Sequence, residues 1–247
     1  MRVDVLTVLP EMVEHALGFS IVGRAREAGL VDVRVVNLRD YAADRHRTTD
    51  DTPCGGGGGM IMKVDPVASA LDAVTAGGPP ARTILMDPQG GAFTQRVARD
   101  LAAEQHLVLV CGRYEGVDER IREHLVTEEL SIGDYVLTGG ELPALVVLDT
   151  VIRLLPGALG DAGAPERDSF ADGLLEHPHY TRPRTFRGWE VPAVLFSGNH
   201  ARIERWRRWH QLTRTRDRRP DLWERYPLTE ADRRLLAAGE PESPTVE

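Results

Sequence analysis

The chain has 247 residues, with 38 Asp and Glu against 30 Lys and Arg and a formal net charge of −8. That length fits one large α/β domain or a core domain with a smaller appendage, and a chain of this size buries roughly 70–75% of its unfolded surface without a covalent staple. No apolar run approaches the ~20 residues of a membrane-spanning helix. Cys54 and Cys111 form no CxxC or metal-like spacing, and MRVDVLTVL opens the chain without a basic leader or cleavage site. These features predict a cytoplasmic protein with reduced thiols and no membrane association.

Residues 3–9 read as a buried strand, and PEMVEHAL as a helix start with Pro10 in its first turn. A helical IVGRAREAGL leads to a second strand, Val31 to Leu38. From Arg39 to Met60 the sequence has no clear period, and loops that long inside a compact domain are usually functional or disordered. Within it, Gly55 to Gly59 reads as a hinge preceded by Arg45, His46, Arg47, Asp50 and Asp51, a composition that suits a moving, substrate-contacting loop. Helix signals return at Asp65-Pro66.

Three strand-to-loop units follow. Thr83 to Met86 runs into Asp87 to Gly91, Leu107 to Cys111 into Gly112 to Gly116, and Leu130 to Leu137 into Thr138 to Glu141. Helical stretches at about 94–104 and 117–125 and from Leu142 to Leu155 alternate with them. Such alternation predicts a mainly parallel α/β sheet covered on both faces. Beyond Pro156, PGALGDAGAPERDSFADG reads as a linker or mobile loop. From Asn199 a helical stretch with Ile203, Trp206, Trp209 and Leu212 predicts a small helical domain, its three Trp serving as core. The tail GEPESPTVE carries no packing signal.

Charge is unevenly spread. Arg182 to Arg234 holds 14 Arg against seven acidic residues, a local excess of seven positive charges that leaves −15 on the remainder. A basic C-terminal segment on an acidic body is the footprint of a polyanion partner. It is equally a compositional habit, because Lys63 is the only lysine.

Ligands of open α/β sheets bind at the carboxyl ends of strands, and here those ends carry three glycine-containing loops, DPQGG, GRYEG and SIGDYVLTGGE. Glycine lets backbone N–H and C=O groups approach a ligand closely. A dinucleotide-dependent oxidoreductase is disfavoured, since no G-x-G-x-x-G follows a strand, and no G-x-x-x-x-G-K-[ST] occurs. His177 and His179 lack a third metal ligand, so no metal site is expected. Cys111 sits in a buried strand pattern and reads as core rather than nucleophile.

The run SIGDYVLTGGELPALVVLDTVIRLLPGALG resembles the signature of the bacterial tRNA (guanine-N1)-methyltransferases, which methylate the guanosine immediately 3′ of the anticodon (position 37). The resemblance extends through the first strand, HRTTDDTPCGGGGGM, VCGRYEGVDERI, EHPHYTRP and RRPDLW, nearly the whole chain in order. Departures are small: Cys54 stands where Tyr is usual, Gly58 replaces a Pro, and Met86-Asp87 replaces Leu-Ser.

The resemblance implies a SPOUT-class α/β domain with a deep trefoil knot, against the general rarity of knots. It implies S-adenosylmethionine as methyl donor, tRNA as substrate, and a homodimer with the active site at the subunit interface. It also implies Mg²⁺ for activity, for which the sequence shows no site. The methyltransferase domain would span 1–158, a linker and active-site loop 159–176, and a small helical tRNA-binding domain 177–247. Carried over by position, the cofactor would be lined by Met86, Pro88, Gln89 and Gly90, by Gly112, Tyr114, Glu115 and Gly116, and by Ser131, Ile132, Gly133, Asp134, Tyr135, Val136, Leu137, Gly139, Gly140 and Pro143.

Guanine N1 is protonated at neutral pH, and a carboxylate general base is worth typically ~10²–10⁴ in rate. The resemblance puts that role on Asp168, and on Arg153 the stabilisation of charge growing on O6. Arg182, Arg184, Arg214, Arg218 and Arg219 are expected phosphate contacts. Two alternatives accompany this reading. One is another SPOUT enzyme acting on ribosomal RNA or a ribose 2′-hydroxyl, which would not need Asp168. The other is a non-catalytic RNA-binding protein.

Overall fold

The alternation of strands and helices is realised in a computed structural model that describes residues 1–241. The chain forms two compact units that part between Ala162 and Gly163. The first unit contains β1 (Arg2–Thr7), α1 (Pro10–Ala16), α2 (Ser20–Glu27), β2 (Asp32–Asn37), β3 (Asp50–Asp51), β4 (Ile61–Met62) and α3 (Val64–Thr75). It continues through β5 (Arg82–Ala92), α4 (Gln95–Ala102), β6 (His106–Cys111), α5 (Glu119–His124), β7 (Glu128–Ser131) and α6 (Glu141–Ile152).

Five strands form one sheet in the order β2-β1-β6-β5-β7, and every pairing in it is parallel. β6 lies at the centre, and each of its six residues is buried. A strand covered on both faces can be apolar nearly throughout, and LVLVC after His106 meets that condition. Side chains alternate between two cores. Leu107, Leu109 and Cys111 join Val3, Val5 and Ile84 against α1, α2, α4 and α6. Val108 and Val110 join Leu6 and Leu85 against α3 and α5. Two ionisable residues are buried at the opposite edge from the loops: Asp4 and His106, both fully buried, bond each other at 2.6 Å, and Arg2 reaches the same carboxylate oxygen at 2.8 Å.

Two strand expectations are corrected. The strand expected over Leu130 to Leu137 ends at Ser131, because the chain there curls on itself, with Tyr135 N–H donating to the Gly133 carbonyl at 2.9 Å. The turn expected at Asp87 to Gly91 is a loop thrown out of a longer strand. Met86 and Gly91 both pair with Leu130 of β7, and the residues between them leave the ladder. The aperiodic Arg39 to Met60 segment is anchored at its end by the small β3–β4 pair, Asp50 opposite Met62 and Asp51 opposite Ile61.

In the second unit, α7 (Ala164–Arg167) is followed by a hairpin of β8 (Thr185–Phe186) and β9 (Trp189–Glu190), then α8 (His200–Arg218), α9 (Pro220–Trp223) and α10 (Glu230–Ala238). The hairpin has no counterpart in the sequence reading. Asn199 caps α8 by accepting from Arg202 N–H at 3.1 Å, and Thr229 with Asp232 closes a capping box on α10. Of the apolar stripe on α8, Trp206 and Leu212 are buried, whereas Ile203 and Trp209 are half-buried. Arg208 ties α8 to α10 through Asp232 at 2.8 Å. Most of the tail GEPESPTVE lies outside the described residues.

Leu109 is fully buried at the centre of the sheet. Leu109→Ala should cost about 2–5 kcal/mol by loss of burial plus a residual cavity. Urea unfolding should show a lower midpoint with an unchanged m-value.

Candidate active site

The loops leaving β5, β6 and β7 converge at the carboxyl edge of the sheet around a cleft of about 310 Å³. β7 is two strands from β6, yet the chain leaving it crosses to the β6 exit. Gly140 N–H donates to the Gly112 carbonyl at 2.8 Å, and Arg113 and Gly139 form an isolated antiparallel bridge. Gly140 is obligatory for this crossing: a Cβ there would lie 2.7 Å from Cys111 Cα and 2.9 Å from Gly112 N.

β4 holds the Gly112–Gly116 loop from its other side. Glu115 N–H donates to the Met60 carbonyl at 3.0 Å, and Met62 N–H to the Gly116 carbonyl at 2.9 Å. Tyr114 is held at φ +66°, an uncommon conformation for a residue with a side chain. Its hydroxyl lies 3.1 Å from Thr49 Oγ1. The long aperiodic segment therefore belongs to the architecture of the site through Thr49 and Met60.

Of the residues expected around the cofactor, Met86, Pro88, Gln89, Gly112, Tyr114, Glu115, Gly116, Ser131, Ile132, Gly133, Tyr135, Val136, Leu137, Gly139, Gly140 and Pro143 line the cleft. Gly90 and Asp134 do not. Gly90 has a packing reason instead, since a Cβ there would meet the Glu129 carbonyl carbon at 2.4 Å and Leu130 N at 2.5 Å. Asp134 is exposed. Arg153 follows α6 in the first unit, its N–H donating to the Asp149 carbonyl at 3.2 Å, and Asp168 follows α7 in the second, its N–H donating to the Ala164 carbonyl at 3.2 Å.

The cleft also takes in residues that the sequence did not single out: Ile61, Asp87, Arg113, Val117, Glu119, Arg122, Leu130 and Thr138. Arg113 and Thr138 sit between residues already named, so their neighbours were the signal. Ile61 and Arg122 come from β4 and α5, and no local pattern announces them. Arg122 binds Asp87 at 3.2 Å and also holds Glu129 and Glu119. It thereby pins the looped-out segment of β5 to α5 and β7. Burial lowers the Arg122 pKa, and the bonds to its carboxylate partners, Asp87 foremost, outweigh this and raise it.

Beneath the cleft lies Glu141, the first residue of α6 and only 1% exposed. Thr7 Oγ1 donates to its Oε1 at 2.8 Å, and Arg113 Nη1 to its Oε2 at 3.2 Å. Both oxygens are thus satisfied, and a helix N-terminus favours the negative charge. Burial pushes the Cys111 thiol well above its ordinary value and Glu141 adds to the effect. Cys111 is a protonated core residue.

Among the arginines of the second unit, Arg219 is bound by Asp221 at 2.6 Å, and Arg184 lies over the Phe196 ring at 4.9 Å. Arg182 is exposed. Arg214 and Arg218 line a separate small pocket with His177 and His179. Among the described residues, no group of three or more His, Cys, Asp or Glu could hold a metal ion.

A parallel α/β sheet whose strand-exit loops surround a ligand-sized cleft defines the class of α/β proteins in which ligands are bound at the carboxyl edge of the sheet. The family model described as tRNA (Guanine-1)-methyltransferase TrmD matches residues 1–225, and the chain belongs to that family. It is 57% identical over 242 residues to a tRNA (guanine-N(1)-)-methyltransferase of Brevibacillus brevis, covering 98% of this chain and 99% of the relative. A protein of the same name from Moorella thermoacetica is 59% identical over 238 residues, covering 96% of this chain and 95% of the relative.

Removing Glu141 leaves Arg113 and the Thr7 hydroxyl without their acceptor. Glu141→Ala should cost roughly 3 kcal/mol, the lower end for breaking a buried pair because Arg113 is partly solvated. Thermal denaturation measures the loss, and Glu141→Gln, which still accepts from Thr7, should recover part of it.

Proposed function

We propose that this chain is a tRNA (guanine-N1)-methyltransferase that transfers a methyl group from S-adenosylmethionine to N1 of the guanosine immediately 3′ of the anticodon. One observation carries the reading: in a chain of this family, sixteen of the eighteen residues expected around the cofactor line one cleft. The cleft suits the cofactor. Its wall is rich in glycine backbone at 112, 116, 133, 139 and 140, and Glu115 supplies a carboxylate for a cationic group, while Asp87 and Glu119 are held by Arg122. When bound, S-adenosylmethionine would supply an electrophilic methyl group, its sulfur departing as the neutral thioether as the methyl carbon bonds to N1.

The protein's part is positioning and charge control. In this reading the loops of the cleft exclude water and fix the donor. Asp168 takes the N1 proton, and Arg153 meets the charge that grows on the guanine O6. A base inside an anticodon loop must be splayed out to expose N1, at a cost of a few kcal/mol of unstacking. Contacts from Arg182, Arg184, Arg214, Arg218 and Arg219 to phosphates offset it. Among the described residues no group of three or more His, Cys, Asp or Glu could cage Mg²⁺, and no step is assigned to that ion.

The finer architecture belongs to the same reading. A trefoil knot of the SPOUT class is supported by the crossing of the β7 exit over β5 to Gly112. Residues 1–158 would act as the methyltransferase domain, 159–176 as an interdomain linker and active-site loop, and 177–247 as the small helical tRNA-binding domain. A homodimer with its active site at the subunit interface is supported by apolar side chains left in solvent beside the cleft, Val136 at 84%, Leu142 at 48% and Val146 at 44% exposure. No helix of the described residues is long and apolar enough to cross a membrane, and a cytoplasmic location accompanies the tRNA substrate.

Labelled-methyl transfer to tRNA transcripts carrying G or A just after the anticodon tests the reaction. Only the G form should be modified, and equal labelling of both would refute the assignment. Asp168→Asn should lower turnover by about 10²–10⁴ while calorimetry still registers cofactor binding. For the dimer, Val146→Asp should sediment as a monomer with unchanged circular dichroism, and a wild-type monomer would end that part of the proposal.

A further inference from the structure

The second unit contains a pocket of about 240 Å³ whose wall includes Ser169, Glu176, His177, His179, Arg214 and Arg218. Its charge is set by which arginines of this unit are already occupied. Arg207 is bound by Glu204, Arg208 by Asp172 and Asp232, Arg216 by Asp217, Arg219 by Asp221, and Arg233 and Arg234 by Glu230. Arg214 and Arg218 form no ion pair with a described residue. They stand one turn apart on α8, so their guanidinium groups emerge on the same face.

The remaining groups of the pocket are consistent with an anion. Ser169 Oγ accepts from Glu176 N–H at 3.1 Å, which leaves its hydroxyl proton free to donate. The one carboxylate in the wall, Glu176, lies 3.4 Å from His179 Nε2 and is directed to that ring. The His177 ring lies tilted against His179 with centroids 4.6 Å apart. The segment carrying Ser169 is joined to α8 by Leu175 N–H donating to Thr215 Oγ1 at 2.9 Å. A tetrahedral anion with a single charge matches two fork-shaped cations and a hydroxyl donor.

We propose that this pocket is a phosphate site that holds one phosphodiester of the RNA backbone between Arg214, Arg218 and the Ser169 hydroxyl. The inference rests on the reading of the chain as a tRNA enzyme, and narrows its phosphate contacts to a built site. It also places an RNA phosphate on the residue that follows Asp168 in the chain, so that RNA capture and the setting of the proposed base act on one short segment.

The test is the affinity for tRNA measured across a KCl series. Arg214→Gln and Arg218→Gln together should flatten the plot of log affinity against log salt by roughly 0.7–0.9, the counterion share of one phosphate contact, and each alone by part of that. Arg216→Gln, whose guanidinium is already paired, should leave the slope unaltered. Slopes equal to wild type in both pocket variants, or an equal flattening in Arg216→Gln, overturn the site. A second arm follows the His177 and His179 ring signals by NMR at constant ionic strength. Shifts on adding a dinucleoside phosphodiester support the proposal, and shifts with inorganic phosphate alone overturn it in favour of a free-anion site. A wild type that methylates tRNA while the slopes stay put sinks only the pocket. A wild type that neither binds nor methylates tRNA sinks the reading beneath it as well.

Discussion

A carboxylate withdrawn from water must have its oxygens met by donors, or its charge is too costly to keep. Glu141 meets that condition with one donor from β1, Thr7, and one from the loop after β6, Arg113. It also begins α6, the helix whose first residues close the cleft. Three parts of the chain far apart in sequence are thereby fastened at one point. The crossing of the β7 exit over to Gly112 runs directly above this point and leaves no room for a Cβ at Gly140. The shape of the cleft follows from that fastening more than from the individual residues on its wall.

A second network fixes the near wall. The four residues between Met86 and Gly91 leave the β5 ladder, and an isolated loop of that kind would have little to hold it. Arg122 supplies the hold, being 13% exposed at its side chain and bound to an Asp87 that is 11% exposed. Shielding of this degree makes the pair more than a solvated surface bridge, whose worth is small. This chain fixes the near wall of its cleft with the Arg122–Asp87 ion pair.

The sheet was legible because its signal is local: runs of β-branched and aliphatic residues such as HLVLVC, separated by helical periods and punctuated by glycine. The glycine loops were legible as a group for the same reason. Their internal form was not. SIGDYVL has the composition of a strand, yet pairing stops at Ser131, because an edge segment that must turn back towards β6 cannot continue a ladder. Gly90 illustrates the converse. Its place in a glycine loop suggested ligand contact, whereas the close approach of β7 is what excludes a side chain there. In the second unit, a count of arginines showed an excess of charge but not which of them were neutralised in place.

The sequence by itself determined the alternation of the five main strands with their helices and the glycine-bearing turns at the ends of three strands, since each depends on residues within a short window, and it determined the family through motifs spread in order along the chain. Only the tertiary structure decided that the β7 exit crosses to β6, that Ile61 and Arg122 share the cleft, and that Glu141 is buried beneath it. Those outcomes depend on contacts between residues tens of positions apart. Such contacts are selected by burial and by the need to pair every buried polar group, and no local pattern records them.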